Sequence, residues 1–443
     1  MGFRSGKTGI SSIRDERRVE SGARPSTLSI PQSTYASVIT ELNLHRHDHK
    51  SYPLIAACQT ASTKIDEFYD RQSMEIPYLN IGDISDCWEL IRMMMSETHD
   101  NKHIVEKQYA TSYTSGDVKL RQSLINGAKA YSEQLFTSYM KRVISSNSQI
   151  AKRSGTPSLL ADIYAYMNVI AHQFPDTLED IKIDGQPLWC VLFFSLRCGS
   201  ISTCLQVIAK ALDANIDIRL FRDCVQFISK SQRIPTSLWE QLNDEYNREI
   251  ASRDRCDPYR MVCYHLIGRF PINYNVDIYK YVAPTSEDYM WLKLSVMWES
   301  TEPLPESIYG IDSQYLSLSH FQSSLLARGE QHFNADGRRP LTYFKILLMS
   351  QQFEQALYYL IRTEYFVVAV HFSIALEYYG CVRKSAPQQD LCKEIMHTHK
   401  HSECEALYTR NIYVFSVSVA RLSSTRDRCL HQHVRTELRS NSS

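Results

Sequence analysis

The densest set of potential metal ligands lies towards the C-terminus, where two cysteines flank three alternating histidines: Cys392, His397, His399, His401 and Cys404. A structural zinc site needs four such ligands converging tetrahedrally. This spacing matches no standard zinc pattern, and alternate histidines in a polar loop are typical of solvated side chains. We therefore assign no metal ligand and expect no cofactor, while a helical metalloenzyme built on His397 to Cys404 stays open as an alternative.

Other candidate chemistry is weaker still. The segment Gly2 to Thr8 resembles a phosphate-binding loop, but only three residues separate its glycines where that motif has four, and no strand precedes it. The sequence contains no His-Glu-x-x-His and no Gly-x-Ser-x-Gly. His265 and His371 lie in apolar helical runs without an evident Cys, Ser or carboxylate partner, so we interpret them as packing residues. We assign no catalytic, cofactor-binding or metal-binding residue, and expect no enzymatic activity.

The cysteines indicate a reducing compartment. Most of the 12 lie inside apolar helical runs, and no Cys-x-x-Cys occurs, which favours buried thiols over a disulfide framework. No apolar stretch follows the N-terminal charges, so we expect neither export nor a lipid anchor. The longest apolar runs, 188–196 and 366–376, are shorter than the roughly 18–20 residues that span a bilayer. We expect a soluble protein with no transmembrane segment.

Length and composition favour stacked helices. A chain of 443 residues exceeds the roughly 250–300 residues that one core can serve. It has only 15 Gly and 15 Pro, few for a fold with many tight turns, and 43% of its residues are hydrophobic, enough to fold. Lys and Arg total 49, as do Asp and Glu. A protein that neutralises many phosphates usually has a basic excess, so we expect no direct nucleic-acid partner.

Helical periodicity begins near residue 83. Leu124, Ala128, Tyr131, Leu135, Tyr139 and Val143 define one predicted face, and Leu160, Ile163, Met167, Ile170 and Phe174 define another. The predicted helix starts are Thr156 before Pro157, Pro187, the capping-box spacing Ser237-x-x-Glu240, Asp257 before Pro258, and Thr285-x-x-Asp288. Gly199 and Gly268 are predicted helix ends. Together these signals predict an all-α protein made of helical pairs.

We divide the chain into three parts. Residues 1–60 are predicted to be a flexible Ser/Arg-rich N-terminal tail, because residues 1–50 are rich in Ser, Thr and Arg without a sustained helical period. Residues 61–410 are predicted to be an irregular α-helical solenoid. Residues 411–443, in which Ile412 to Ala420 alternate like a strand, are predicted to be a divergent C-terminal tail.

Four ordered runs carry a family resemblance: Gly185 to Gly199, Asp257 to Arg269, Glu287 to Leu294, and His332 to Glu364. In this order and at these separations, over about residues 100–380, the chain resembles the nucleoporin-interacting-component (Nic) family, the nucleoporin-ninety-three type in animals. The resemblance implies an elongated helical solenoid that folds back on itself. It also implies a structural scaffold of the inner ring of the nuclear pore complex, at the nuclear envelope of the nucleus, with no enzymatic activity.

The resemblance implies partners among other nucleoporins: the large inner-ring solenoid nucleoporins and a membrane-associated linker nucleoporin. Members recruit the coiled-coil nucleoporins of the central channel through a helical N-terminal extension, but residues 1–50 lack heptads, so this third partner stays open. After Arg410 the chain departs from the family pattern, which suggests a truncated, alternatively spliced or mispredicted C-terminus. A coat-type helical scaffold or trafficking adaptor remains an alternative, because it shares the same shape.

Overall fold

The structure is a computed structural model that describes residues 30–48, 52–71, 81–97, 118–153, 155–230, 234–248, 256–270, 279–297, 299, 317–334, 339–363 and 365–382. The metal-ligand candidates at 392–404, the glycine-containing segment 2–8 and the predicted tail 411–443 lie outside these residues. Within them, the secondary structure is almost entirely helical.

The described residues form 17 helices, here numbered in chain order: α1 Ile30–His47, α2 Leu54–Arg71, α3 Ile81–Met94, α4 Val118–Ser146, α5 Ser148–Ala151, α6 Leu159–Ile170, α7 Leu188–Arg197, α8 Ile201–Asp213, α9 Arg219–Ser229, α10 Thr236–Tyr246, α11 Pro258–Gly268, α12 Tyr279–Val282, α13 Ser286–Val296, α14 Leu318–Phe333, α15 Pro340–Met349, α16 Phe353–Ile361 and α17 Phe366–Tyr378. One antiparallel pair, β1 Lys182–Ile183 and β2 Gln186–Pro187, precedes α7.

Several helices begin and end where the sequence predicts. The Asp257 side chain accepts hydrogen bonds from the backbone N–H groups of Tyr259 and Arg260 at the start of α11, and Thr285 accepts one from Asp288 N at the start of α13. Gly199 has φ of +71° after α7, a conformation that suits glycine. Each signal depends on neighbouring backbone groups alone, which is why it is visible locally.

Three local predictions are wrong. Helix α6 starts after Ser158, whose side chain accepts from Ala161 N, and not at Thr156. Helix α10 starts at Thr236 after Pro235 with no side-chain cap, so the capping-box spacing at Ser237 is not used as a cap. Gly268 is the last helical residue of α11, and the left-handed position falls on Arg269 (φ +54°).

The predicted face of α4 is correct only at its start. Leu124, Ala128 and Tyr131 are buried, but Tyr139 is 47% exposed. Each step of four residues rotates about 40° past a full turn of a helix with 3.6 residues per turn. The steps from Tyr131 onward therefore drift off the core, and the buried stripe continues instead through Phe136, Met140 and Ile144.

The prediction of a flexible tail over residues 1–60 is wrong for residues 30–48 and 52–60. Residues 30–47 form α1, and α2 begins at Leu54. Tyr35, Val38 and Leu42 are buried, at the three- and four-residue spacing of a helix face. Their burial comes from α2 and α17, so the segment is part of the helical body despite its polar composition.

Two hydrophobic cores share two helices. Helix α4 has 29 residues and is about 43 Å long, so its two halves can contact different sets of helices. Its first half (Leu124, Ile125, Ala128) packs in the core formed with α1–α3 and α14–α17, and its second half (Phe136, Met140, Ile144) packs with α6–α11. Helix α13 likewise places Met290 and Leu294 in the first core and Trp291, Leu292 and Val296 in the second.

Helices α3 and α4 pack with their backbones in close contact at Gly127. A Cβ placed on Gly127 would lie 2.5 Å from the Met93 carbonyl oxygen and 2.6 Å from the Met94 Cα. Such distances are shorter than real Cβ contacts, so glycine lets these two helices pack at this separation.

The chain folds back on itself. Helix α17 packs on α1 and α2, α15 packs on α3, and α13 packs on α4. Helices that follow one another also pack together, as in the pairs α7–α8, α15–α16 and α16–α17. The fold is an irregular all-α helical solenoid, as the sequence pattern predicts, and its last described helices return to its first ones, as the family resemblance implies.

Candidate functional site

The two histidines singled out in the sequence are both buried. His265 is 7% exposed, its Nδ1 faces the Phe270 carbonyl oxygen, and burial lowers its pKa to about 3. His371 is 2% exposed and its ring stacks on Tyr35 with centroids 4.2 Å apart. Their burial agrees with the packing interpretation.

The cysteines of the described residues are free thiols, seven of them buried and two, Cys198 and Cys256, partly buried. Burial raises the pKa of Cys87 and of Cys204 to about 12. A thiol at such a pKa stays protonated at neutral pH and is a poor nucleophile and metal ligand. In this part of the chain, no group of three or more His, Cys, Asp and Glu side chains is arranged to hold a metal ion.

Arg197 occupies the place where the two cores meet. It ends α7 and is 3% exposed. Its guanidinium donates to Asp288 Oδ1 of α13 from Nε (3.1 Å) and Nη2 (2.9 Å), and to the Ser132 carbonyl oxygen of α4 from Nη1 (2.9 Å). Burial lowers the pKa of Arg197, while the Asp288 carboxylate favours the charged form.

Two aromatic rings complete the Arg197 junction. The guanidinium carbon lies 4.5 Å from the Phe136 ring centroid and 4.8 Å from that of Trp291. Trp291 Nε1 donates to Glu133 Oε1 at 3.3 Å. A buried charge is tolerated only where its partners are in place. The hydrogen bonds of Arg197 are therefore satisfied only when α4, α7 and α13 lie in one relative arrangement.

Glu97 closes the fold between the first and last described helices. It is 4% exposed and follows α3. Its carboxylate accepts from Ile55 N (3.1 Å) and Ala56 N (2.8 Å) at the start of α2, and from the Tyr379 hydroxyl just after α17. Burial raises the pKa of Glu97, although these three hydrogen bonds oppose the shift.

Aromatic contacts support the same closure. The Trp88 and Phe372 ring centroids are 4.0 Å apart, and Tyr52 N donates to the Tyr378 hydroxyl at 3.1 Å. These pairs join residues separated by more than 280 positions in the chain. The return of α17 is thus held by both packing and buried hydrogen bonds.

A third polar junction anchors the loop before β1. Glu179 accepts from Arg260 Nη1 at 2.7 Å and from Trp189 Nε1 at 3.1 Å, and its backbone N–H donates to Asp257 Oδ2 at 3.1 Å. Burial raises the pKa of Asp257 to about 6. The loop is therefore fixed to α7 and α11 at once.

These junctions position helices. Their carboxylates accept hydrogen bonds from backbone N–H, indole N–H and guanidinium groups, and burial raises the pKa of the buried thiols Cys87 and Cys204. Sequence reasoning missed all three. A signal existed for Arg197, because a charged residue directly after the apolar run 188–196 needs a partner if it is buried, but no local signal marks Glu97 or Glu179.

A surface cleft of about 500 Å³ lies between the C-terminal part of α4 and the start of α6. Its lining combines apolar, cationic and hydroxyl side chains: Lys141, Ile144, Ser145, Arg153, Pro157, Ser158, Leu159 and Asp162. Among the described helices, none has both the length and the apolar character required to cross a bilayer.

Comparison with known proteins gives concordant results. The family model described as Nup93/Nic96 matches residues 82–420, a wider span than the resemblance in the sequence. The chain is 28% identical to "Nuclear pore complex protein Nup93" of Xenopus tropicalis over 344 residues, covering 77% of this chain and 38% of that protein. It is 27% identical to "Nucleoporin NIC96" of Chaetomium thermophilum over 357 residues, covering 72% of this chain and 31% of that protein.

A solved structure shows the same fold. The "Crystal Structure of Chaetomium thermophilum Nic96 SOL" superposes with a TM-score of 0.70 at 22% identity, covering 88% of this chain and 55% of the other. The chain spans less than two fifths of the length of the curated relatives named above. Since the family model matches most of its residues, the chain belongs to the Nup93/Nic96 family.

Proposed function

We propose that this chain is a structural scaffold constituent of the nuclear pore complex inner ring, at the nuclear envelope, where it supports pore assembly and the nucleocytoplasmic transport of protein and RNA. The observation that carries the proposal is a family-type helical solenoid closed on itself by the buried Glu97 junction. Family membership supports a structural role and no enzymatic activity.

This role requires a stiff helical body and a large exposed surface on which partners can dock. Helical pairs bury their apolar faces on their neighbours, and the junctions at Arg197, Glu97 and Glu179 fix the helices relative to one another. A solenoid of this kind exposes a large surface relative to its core, on which partner segments dock in grooves between helices. The chain acts by holding other proteins at defined positions.

The partners we propose are the large inner-ring solenoid nucleoporins and a membrane-associated linker nucleoporin, as expected of the family. The coiled-coil nucleoporins of the central channel stay open as a third group of partners.

Localisation of the tagged full chain, combined with recovery of bound proteins, tests the proposal. We expect staining of the nuclear rim and recovery of inner-ring nucleoporins. Staining of cytoplasmic vesicles would contradict the proposal and favour the coat-type scaffold or trafficking adaptor. Stoichiometric zinc in the purified full chain, lost when the cysteines and histidines of residues 392–404 are replaced, would favour the metalloenzyme alternative.

A further inference from the structure

A small cavity lies where α4, α13 and α15 meet. Its volume is about 20 Å³, which is enough for one water molecule, because a water needs roughly 10–15 Å³. The same volume is far too small for a metabolite. Met290, Ile346 and Met349 supply apolar wall, and Tyr131 and Ser132, neighbours on α4, supply hydroxyl groups.

The two hydroxyl groups are buried without a protein partner in the described part of the chain. Tyr131 is 4% exposed and Ser132 is 1% exposed. Neither Tyr131 Oη nor Ser132 Oγ has a hydrogen-bond partner among the described residues. Burial raises the pKa of Tyr131, so its hydroxyl stays protonated and can donate as well as accept. A buried hydroxyl without a partner costs free energy, and a water bound to it removes that cost.

Ser132 differs from the other buried serines of the described residues. Each of those places its hydroxyl on the carbonyl oxygen four residues earlier, at 2.7–3.1 Å: Ser62, Ser195, Ser350 and Ser373. Such a bond satisfies a buried serine within its own helix. The Ser132 hydroxyl makes no such bond to the Ala128 carbonyl oxygen, so its partner must come from the cavity that it lines.

The rest of the wall suits a neutral polar ligand. Ser286 of α13 and Thr342 of α15 add hydroxyl groups, and Glu287 and Lys345 add one charge of each sign. A buried water typically makes about three hydrogen bonds, and the two buried hydroxyls together with those on the wall supply that number. A purely apolar cavity would stay dry. A metal ion fits less well, because hard cations prefer several oxygen ligands that include carboxylates, and this wall has one carboxylate.

We propose that this cavity binds one structural water, held by the Tyr131 and Ser132 hydroxyls and by a third hydroxyl from Ser286 or Thr342. The water lies next to the Arg197 junction, because the Ser132 carbonyl oxygen accepts from Arg197 Nη1 at 2.9 Å. It adds a water-mediated link between helices at the place where the two cores meet. The inference goes beyond the proposed function and does not depend on it.

A crystal structure of the full chain, at a resolution that shows ordered waters, tests the site directly. We expect one density peak about 3 Å from both Tyr131 Oη and Ser132 Oγ. The lack of a peak there, in a map that shows other buried waters, would overturn the inference.

Thermal unfolding of variants of the full chain tests the site independently. Ser132→Val replaces the hydroxyl with two methyl groups, which displaces the water and leaves the Tyr131 hydroxyl unpaired. In the wild-type chain we expect Tyr131→Phe to change Tm by less than about 2 °C, because water bound in the cavity replaces water bound in the unfolded state. In the Ser132→Val chain the same substitution should raise Tm by about 2–6 °C, because it removes an unpaired buried hydroxyl.

The matched control is Tyr35→Phe, since the Tyr35 hydroxyl bonds Ser62 at 2.6 Å and lies outside the cavity. It should lower Tm by the same amount with and without Ser132→Val, because effects at separate sites add. Equal shifts for Tyr131→Phe in the two backgrounds would overturn the inference, because a dry cavity leaves the hydroxyl unpaired in both. If Ser132→Val does not fold, the density peak in the wild-type chain decides.

Discussion

Replacement of Trp291 by alanine tests the joint between the two cores. The side chain is 1% exposed, its ring makes an edge contact with Phe193 (centroids 5.9 Å apart), and it lies against the Arg197 guanidinium. Removing a buried tryptophan costs about 3–5 kcal/mol. Because the substitution also strips one wall from a buried charge, we expect a value at the upper end of that range.

The assay is thermal unfolding followed by far-UV circular dichroism, which does not depend on tryptophan fluorescence. At about 2 °C per kcal/mol for a large domain, a cost of about 4–5 kcal/mol lowers Tm by about 8–10 °C. Trp291→Phe keeps a ring but loses the hydrogen bond to Glu133, so its cost should be about 1–2 kcal/mol. Tyr139→Ala, at a 47% exposed aromatic of the same core region, is the matched control, with an expected cost of about 1 kcal/mol or less.

A Tm for Trp291→Ala equal to that of Tyr139→Ala would refute the reasoning. It would mean that the indole is not packed at the junction, and that α13 does not couple the two cores through this side chain.

Three further predictions concern buried polar groups. Burial raises the pKa of Asp257 to about 6, so its carboxyl holds a proton more tightly in the folded chain than in the unfolded chain. The free energy of unfolding should therefore fall as pH rises from about 4 to about 6. Asp257→Asn should reduce that fall, measured by urea titration at each pH. Tyr35→Phe should cost about 1–2 kcal/mol in the same assay, since its hydroxyl bonds Ser62 at 2.6 Å, whereas Tyr131→Phe should be neutral or stabilising, because its buried hydroxyl has no partner within the described residues. Glu97→Gln should cost about 2 kcal/mol and raise the rate of proteolysis near the closure, read by limited digestion.

Each of these has a contradicting result. A pH profile of Asp257→Asn parallel to wild type would show that this carboxyl does not titrate in the window. A destabilised Tyr131→Phe would show that the hydroxyl has a protein partner after all. Glu97→Gln with wild-type stability and digestion would mean that packing alone holds α17 against α2.

The contrast between correct and wrong helix predictions has a simple physical cause. Asp257 and Thr285 act on N–H groups two or three residues away, so their role is visible in the sequence. The segment from residue 30 to 47 was missed because its few apolar side chains look insufficient alone. Tyr35 and Leu42 gain their burial from helices elsewhere in the chain, including α17, more than 300 residues downstream.

The polar junctions show the same limit more sharply. Arg197 ends a helix that the sequence predicts well, yet its partners Ser132 and Asp288 lie 65 and 91 positions away. Glu97 finds Tyr379 at a separation of 282 residues. No local pattern encodes such pairings, because they depend on which helices the fold-back brings together.

By itself, then, the sequence determined the helical class, the helix starts at Asp257 and Thr285, the burial of most thiols of the described residues and the family resemblance, because these follow from side-chain period, capping and composition. Tertiary structure alone decided that α1 belongs to the body, which carboxylates are buried, and that α4 and α13 serve two cores. The physical reason is that burial is a property of distant neighbours: a side chain leaves water only when another part of the chain arrives to cover it.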